Sequence, residues 1–419
     1  MFLFVVNGHV AGQSAKTNQT NLFSSSFETL DSLAVANRIA NINLAHSYAR
    51  QAYQVSIRSG IIKDVIRANY LLAITSNPED KDSSFFKLNQ AVALSKQFNQ
   101  EGELSNILFS LALLYKDAGD VKTSLTYLDS ALAISQRYDQ FSNIARIYNT
   151  LGNIYLEGND SVAAHKMYLN AFRLGEQHHD FTIQGIAAGN LAQFSKNTSD
   201  LIKELNKAIL LLKKSNGHEE EIAQFLVNAG LATTSPVQAL KIFAEALTIG
   251  KQGNLSISQL GVFNNIVYSL LDTGNPDSAT SCVVNYAIPL AKNINSHDWL
   301  ATLYDTYSDI LIYQGKFPEA TLQLKKAIAE KAIDDQQKAT VQVRLLAAMM
   351  DTKNKEADLE KSTKDLKFNQ MVVKVQYLAG LALALIASFV IMMLILRNQR
   401  KKIILKTREI ALTKRIVEF

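Results

Sequence analysis

The sequence predicts an all-α chain: a solenoid of about seven to eight stacked helix pairs, a long stalk helix and a single transmembrane helix. Three observations predict it. Alanines recur at a nearly fixed period over most of the chain. Only 5 prolines and 18 glycines fall among 419 residues. Proline breaks helices and glycine weakens them, so their scarcity leaves room for long ones. Finally, residues 377–396 read YLAGLALALIASFVIMMLIL, with neither charge nor proline.

Composition narrows the function classes. With 47% hydrophobic and 19% charged residues, the chain is not a disordered one. Lys plus Arg is 43 and Asp plus Glu is 38, a net charge of +5. So small an excess argues against a strongly basic nucleic-acid binder, and no direct nucleic-acid partner is expected. The one cysteine, Cys282, excludes an intramolecular disulfide framework and a Cys-rich zinc site.

The repeat is read first, since a missed period mis-assigns the fold. Ala52, Ala91, Ala131, Ala171, Ala208, Ala246, Ala287 and Ala327 are separated by 39, 40, 40, 37, 38, 41 and 40 residues. Each lies in similar local text, read as helix, tight turn, helix. Ala118-Gly119-Asp120, Gly158-Asn159-Asp160, Thr273-Gly274-Asn275 and Gln314-Gly315-Lys316 supply the turns. Gly or Asn there provides the left-handed conformation that ends the first helix. Small residues such as Gly152, Ala164 and Ala171 let neighbouring helices approach closely.

These residues resemble the tetratricopeptide repeat. Leu151-Gly152, Tyr155, Asn159-Asp160, Ala164, Tyr168 and Ala171 follow the pattern in order. Leu111-Ala112, Tyr115, Gly119-Asp120, Ser124, Leu128 and Ala131 do so again, as do Ser308, Leu311, Gly315, Phe317, Ala320, Leu324 and Ala327. The resemblance covers 30–345. It departs from the family in its period, near 40 instead of 34, and in lacking most of the closing prolines. Repeats around 188–250 are degenerate.

The family places first-helix side chains on a groove for a peptide or protein. By register, Asn69, Phe109, Asn149, Asn264 and Asp305 form one ring of that groove; Leu113, Asn153, Tyr268 and Asp309 form the next. Asparagine carries donor and acceptor together and suits the backbone of an extended peptide.

Residues 377–396, as a helix, span about 30 Å, the hydrocarbon thickness of a bilayer. Arg397, Arg400, Lys401 and Lys402 follow as an interfacial basic cluster. Eight Lys or Arg lie between 397 and 416 and four between 357 and 376. The positive-inside rule therefore puts 397–419 in the cytoplasm, as a basic helix, and the array outside. Residues 1–20 read as a signal peptide or an apolar N-terminal tail (MFLFVV). Residues 346–376 read as a stalk helix, in which Leu359, Leu366 and Val373 continue a seven-residue step from Leu345. It is either a solvated linker or a homodimer seam shared with the membrane helix.

No phosphate-binding loop, His-Glu-x-x-His or Gly-x-Ser-x-Gly motif occurs, and no enzyme, cofactor or metal site is expected. His178-His179 is assigned to an inter-repeat loop, and Cys282 and Trp299 to the core. The order of segments resembles bacterial inner-membrane sensors: a periplasmic tetratricopeptide array, one span and a cytoplasmic output. The expected function is binding of a peptide or protein by the array and relay to a cytoplasmic partner, with the output domain missing. The alternative is a membrane-anchored scaffold for envelope assembly without signalling.

Overall fold

A computed structural model describes residues 26–39, 41–77, 79–215 and 217–417, with side chains described as far as Arg408. The signal-peptide reading lies outside those bounds. Among the described residues there are helices and turns and no strand.

The helices pair in chain order. The pairs are α1 (Phe27–Asn37) with α2 (Ile42–Ser59), α3 (Ile62–Ile74) with α4 (Lys81–Gln97), α5 (Leu104–Asp117) with α6 (Val121–Arg137), and α7 (Phe141–Glu157) with α8 (Ser161–Gln177). They continue as α9 (Phe181–Ala192) with α10 (Thr198–Lys214) and α11 (Glu219–Ala232) with α12 (Pro236–Gln252). α13 (Ser256–Asp272) pairs with a broken helix: α14 (Pro276–Cys282), a π-helical turn (Val283–Ala287) and α15 (Ile288–Asn293). Pro289 explains the break, because it lacks the N–H that the ladder needs and the wider turn absorbs the defect. α16 (His297–Tyr313) precedes α17 (Phe317–Val417).

The turns obey local rules. Gly119, Asn159, Gly274 and Gly315 have positive φ, as expected from sequence. The turns between pairs use the same device at Asn99, Asp139, His179, Asn254 and Asn295. Asp120, Asp160 and Asp180 then cap α6, α8 and α9, their carboxylates accepting from the N–H of Thr123, Ala163 and Ile183.

The periodic alanines form the spine of the core. Seven of the eight are wholly buried, and Ala327 nearly so. Large residues fill the space opposite glycines: a Cβ on Gly152 would collide with the Tyr168 ring, one on Gly189 with Phe225, and one on Gly230 with Phe243. Cys282 and Trp299 pack in one apolar cluster with Leu260, Phe263 and Leu300. The Cys282 thiol is pushed up to about 11 by burial. His178 caps α8 and stacks on Phe141 with ring centroids 4.3 Å apart.

The chain divides into two compact units, 1–348 and 349–419. In the first, α17 reaches far beyond its own pair. Gln342 Nε2 donates to the Ala118 carbonyl at 3.1 Å, and Arg344 donates to the Glu79 carbonyl. Leu345 is fully buried there, and Asp334 is held by Lys338 at 2.9 Å and Lys331 at 3.0 Å. An open cavity of about 450 Å³ lies between this stretch and the α3–α4 turn, lined by Glu79, Lys81, Lys338 and Val341 among others. The second unit is helix throughout to Val417. Residues 377–396 lie in its candidate membrane span, with a window of mean hydropathy 2.7 and nothing in it buried. A soluble core helix of that composition would be covered.

Candidate functional site

First helices lie against first helices, α1 on α3, α5 on α7, α7 on α9, α11 on α13 and α13 on α16. They make a face in three stretches, α1–α3, α5–α7–α9 and α11–α13–α16.

The face carries a lateral polar ladder. Arg67 of α3 bonds Asp31 of α1 at 2.9 Å and Glu103, which precedes α5, at 2.9 Å. Burial opposes its charge, but the two carboxylates more than offset this and raise the guanidinium pKa. In the next layer, Arg146 donates to Asn106 Oδ1 at 2.8 Å and lies over the Phe109 ring at 4.2 Å. Asn190 Nδ2 then donates to Asn149 Oδ1 at 3.2 Å. Further along, Thr306 donates to Asn264 Oδ1 at 2.7 Å, and the Tyr268 hydroxyl to Asp309 at 2.9 Å.

The residues expected in the groove take different places. Leu113, Asn153, Tyr268, Asp305 and Asp309 are exposed. Asn153 accepts from the Tyr168 hydroxyl at 2.6 Å, so it also ties α7 to α8. Asn149 and Asn264 are half-buried and bonded to neighbouring first helices. Asn69 and Phe109 differ from a solvent-facing lining. Asn69 is 2% exposed with its Nδ2 committed to the Val65 carbonyl, and Phe109 lies under Arg146. Asn69 is turned back onto its own helix, and the Arg146 guanidinium covers Phe109. Asp305 lines a cavity of about 510 Å³ between α16 and α17, with Thr302, Leu324 and Lys331. Arg397, Arg400, Lys401 and Lys402 are exposed in the second unit.

Arg67, Asn106, Arg146 and Asn190 were not expected. Their signal was lateral spacing. Asp31, Arg67 and Glu103 are 36 apart in turn, Asn106 and Arg146 are 40 apart, and Asn149 and Asn190 are 41 apart. Among the described residues, no cluster of His, Cys, Asp and Glu is placed to hold a metal ion.

Residues 103–177 match the tetratricopeptide-repeat family model. No curated protein matches the sequence. Solved structures that resemble the fold include the apo form of the quorum sensor NprR from B. thuringiensis. It is 12% identical, with a TM-score of 0.54 over 73% of this chain and 86% of that one. Aspartyl phosphate phosphatase F from Bacillus subtilis is 12% identical, with a TM-score of 0.44 over 81% and 96%. A signal-transduction ATPase with a tetratricopeptide-repeat sensor from Pyrococcus horikoshii is 16% identical, with a TM-score of 0.46 over 74% and 54%. Residues 103–177 thus carry the tetratricopeptide repeat, and the array as a whole shares the helix-pair solenoid fold of the quorum sensor.

Proposed function

We propose that the chain is a single-pass membrane protein whose array binds a peptide or protein on its inner face and relays that event to a cytoplasmic partner. The observation that carries this reading is α17. Its first part completes the last repeat, burying Ala320 and Ala327, and bonds to Glu79 and Ala118 far across the array. The same helix includes the exposed apolar segment 377–396. Between Pro318 and Gly380 no proline or glycine interrupts it. A ligand that favours one packing of residues 334–345 against the early repeats therefore has a covalent helical path toward the span. It shifts the equilibrium only by its difference in affinity between the two packings.

The apolar stretch, the excess of Lys and Arg after it, and the exposure of Arg397, Arg400, Lys401 and Lys402 support an array outside and a cytoplasmic tail. Exposed Leu359, Leu366 and Val373 lie seven residues apart, as a homodimer seam would need. The likeness to the quorum sensor supports the solenoid as a scaffold for such a receptor.

Reporter tags at residue 26 and residue 419 test the topology in intact cells. The reading expects protease to reach only the first. Access to the second from outside overturns it. Capture with the full chain in detergent, before and after Tyr268→Ala with Asp309→Ala, tests the face. Equal recovery of every bound peptide or protein from both forms removes the face from the function.

A further inference from the structure

The last pair of the array leaves open a side that earlier pairs close. In five of those pairs a large residue stands three positions before the spine alanine: Leu88, Leu128, Tyr168, Leu205 and Phe243. Each is no more than 2% exposed, and the first helix of the following pair lies against the helix that carries it. Leu324 has the same place before Ala327, yet it is 38% exposed. One position after the spine alanine, Ile209 and Ile288 are buried, whereas Ile328 is 70% exposed. Among the described residues no further first helix follows, because α17 continues as one helix to Val417. The cavity of about 510 Å³ between α16 and α17, lined by Leu324, Ala327 and Ile328 among others, is therefore the seat that a following first helix fills elsewhere. A solenoid end that faces only water is polar on its outer side, and this one is not.

The polar register says what the seat accepts. Asn149 of α7 takes a hydrogen bond from Asn190 of the next first helix at 3.2 Å, and Asn264 of α13 takes one from Thr306 of α16 at 2.7 Å. Both act as acceptors toward the following helix. Asp305 stands 22 residues before Ala327, as Asn149 stands 22 before Ala171, and it is exposed. An ionised carboxylate only accepts, so its counterpart is a donor, and a cation is the strongest. Asp298, Asp305 and Asp335 line the groove against the single ammonium of Lys331, which leaves it acidic. Lys331 also keeps out a further repeat, and with it a second copy stacked as one. Its place, four after the spine alanine, holds Ser135, Gly175 and Gly250 in earlier pairs. There the next helix comes so near that a Cβ on Gly175 would meet the Gln184 backbone N at 2.8 Å. A lysine tied to Asp298 at 3.2 Å and Asp334 at 3.0 Å denies that approach. We propose that the groove of the last pair docks an amphipathic helix of a partner protein, its apolar side on Leu324 and Ile328 and a Lys or Arg against Asp305. The proposal does not depend on a ligand on the inner face.

The test uses the full chain in the cells that make it. The photo-cross-linking residue p-benzoylphenylalanine replaces Ile328 or, as a control, the exposed Val162 of α8. Irradiation should yield an adduct with one other protein from 328 and not from 162. Peptide mapping should place the far end of the cross-link on a segment with apolar residues three and four apart and a Lys or Arg beside them. Asp305→Lys should cut the adduct by about tenfold or more, and exchanging the partner's Lys or Arg for Glu should restore it. Asp305→Asn, which keeps the shape and removes the charge, should also lower it. Both variants should melt with the wild type, since Asp305 is exposed, which separates a lost contact from a misfolded chain. The absence of an adduct from 328 overturns the proposal. So does an adduct that joins two copies of this chain or reaches residues 1–25 of the same chain. An adduct with another protein that Asp305→Lys leaves unchanged overturns it as well.

Discussion

The array and the segment 349–417 are both helical and both rich in apolar residues, yet they dispose of them in opposite ways. In the array, small residues recur every 37 to 41 positions and are buried, so each helix lets its neighbour in. Phe225, Phe243 and Tyr168 fill the space left by Gly189, Gly230 and Gly152. In the second region, no such period exists. Leu359, Leu366, Val373 and the whole of 377–396 remain exposed. Apolar content alone therefore does not make a core. The array's greasy surface is covered by its own repeats, and that of 377–396 asks for lipid or another chain.

The largest expected effect breaks the comparison at the span. Ile386→Arg with Val390→Arg adds about 2.5–3.5 kcal/mol for each residue to membrane insertion. The doubly substituted chain should leave the membrane pellet on alkaline extraction. Quantitative retention there would show that 377–396 is not held by lipid.

Next comes packing. Phe243→Ala, opposite Gly230 in the core, should cost about 3–5 kcal/mol in denaturant unfolding of the detergent-solubilised chain. Leu366→Ala in the second region should cost under about 0.5 kcal/mol unless a second copy covers it. A large loss at Leu366 would therefore count for a homodimer stalk, and cross-linking through cysteines placed at 359 and 366 would check it. Ala131→Leu should overpack α6 against its neighbours by about 1–3 kcal/mol. A neutral result would mean the alanine spine has slack that the close glycine contacts argue against.

Arg67 sharpens the comparison within the array. Arg67→Met leaves Asp31 and Glu103 facing each other without a cation. With all three side chains part-exposed, about 1–3 kcal/mol is expected, discounted from a fully buried pair. The smallest effect concerns acid. Burial raises the Asp334 carboxyl, but hydrogen bonds from Lys338 and Lys331 outweigh it and leave the pKa below its ordinary value. Its contribution is then complete above the unfolded value near 4 and fades as pH falls through the folded one. Amide exchange across 331–345 should quicken only below about pH 4. Quickening between pH 8 and 6 would place the restraint elsewhere.

Much of this was legible from residues alone. The alanine period fixed the pair count and the buried register of every second helix, because small residues at a constant interval have one packing solution. Gly119, Asn159, Gly274 and Gly315 fixed four turns, because few residues tolerate positive φ. The inner face was legible only in part. Periodicity places Asn69, Asn149 and Asn264 on first helices; it does not say that Asn69 is buried while Asp305 stays open.

Local rules act within one helix or one turn, and a single chain of residues contains them. Which charge meets which depends on lateral stacking over 36 to 41 residues. That is why helix pairs, turns and the apolar segment were determined by sequence, whereas the pairing of Arg67, the placing of Arg146 between Asn106 and the Phe109 ring and the reach of α17 to Glu79 and Ala118 were decided only by the tertiary structure.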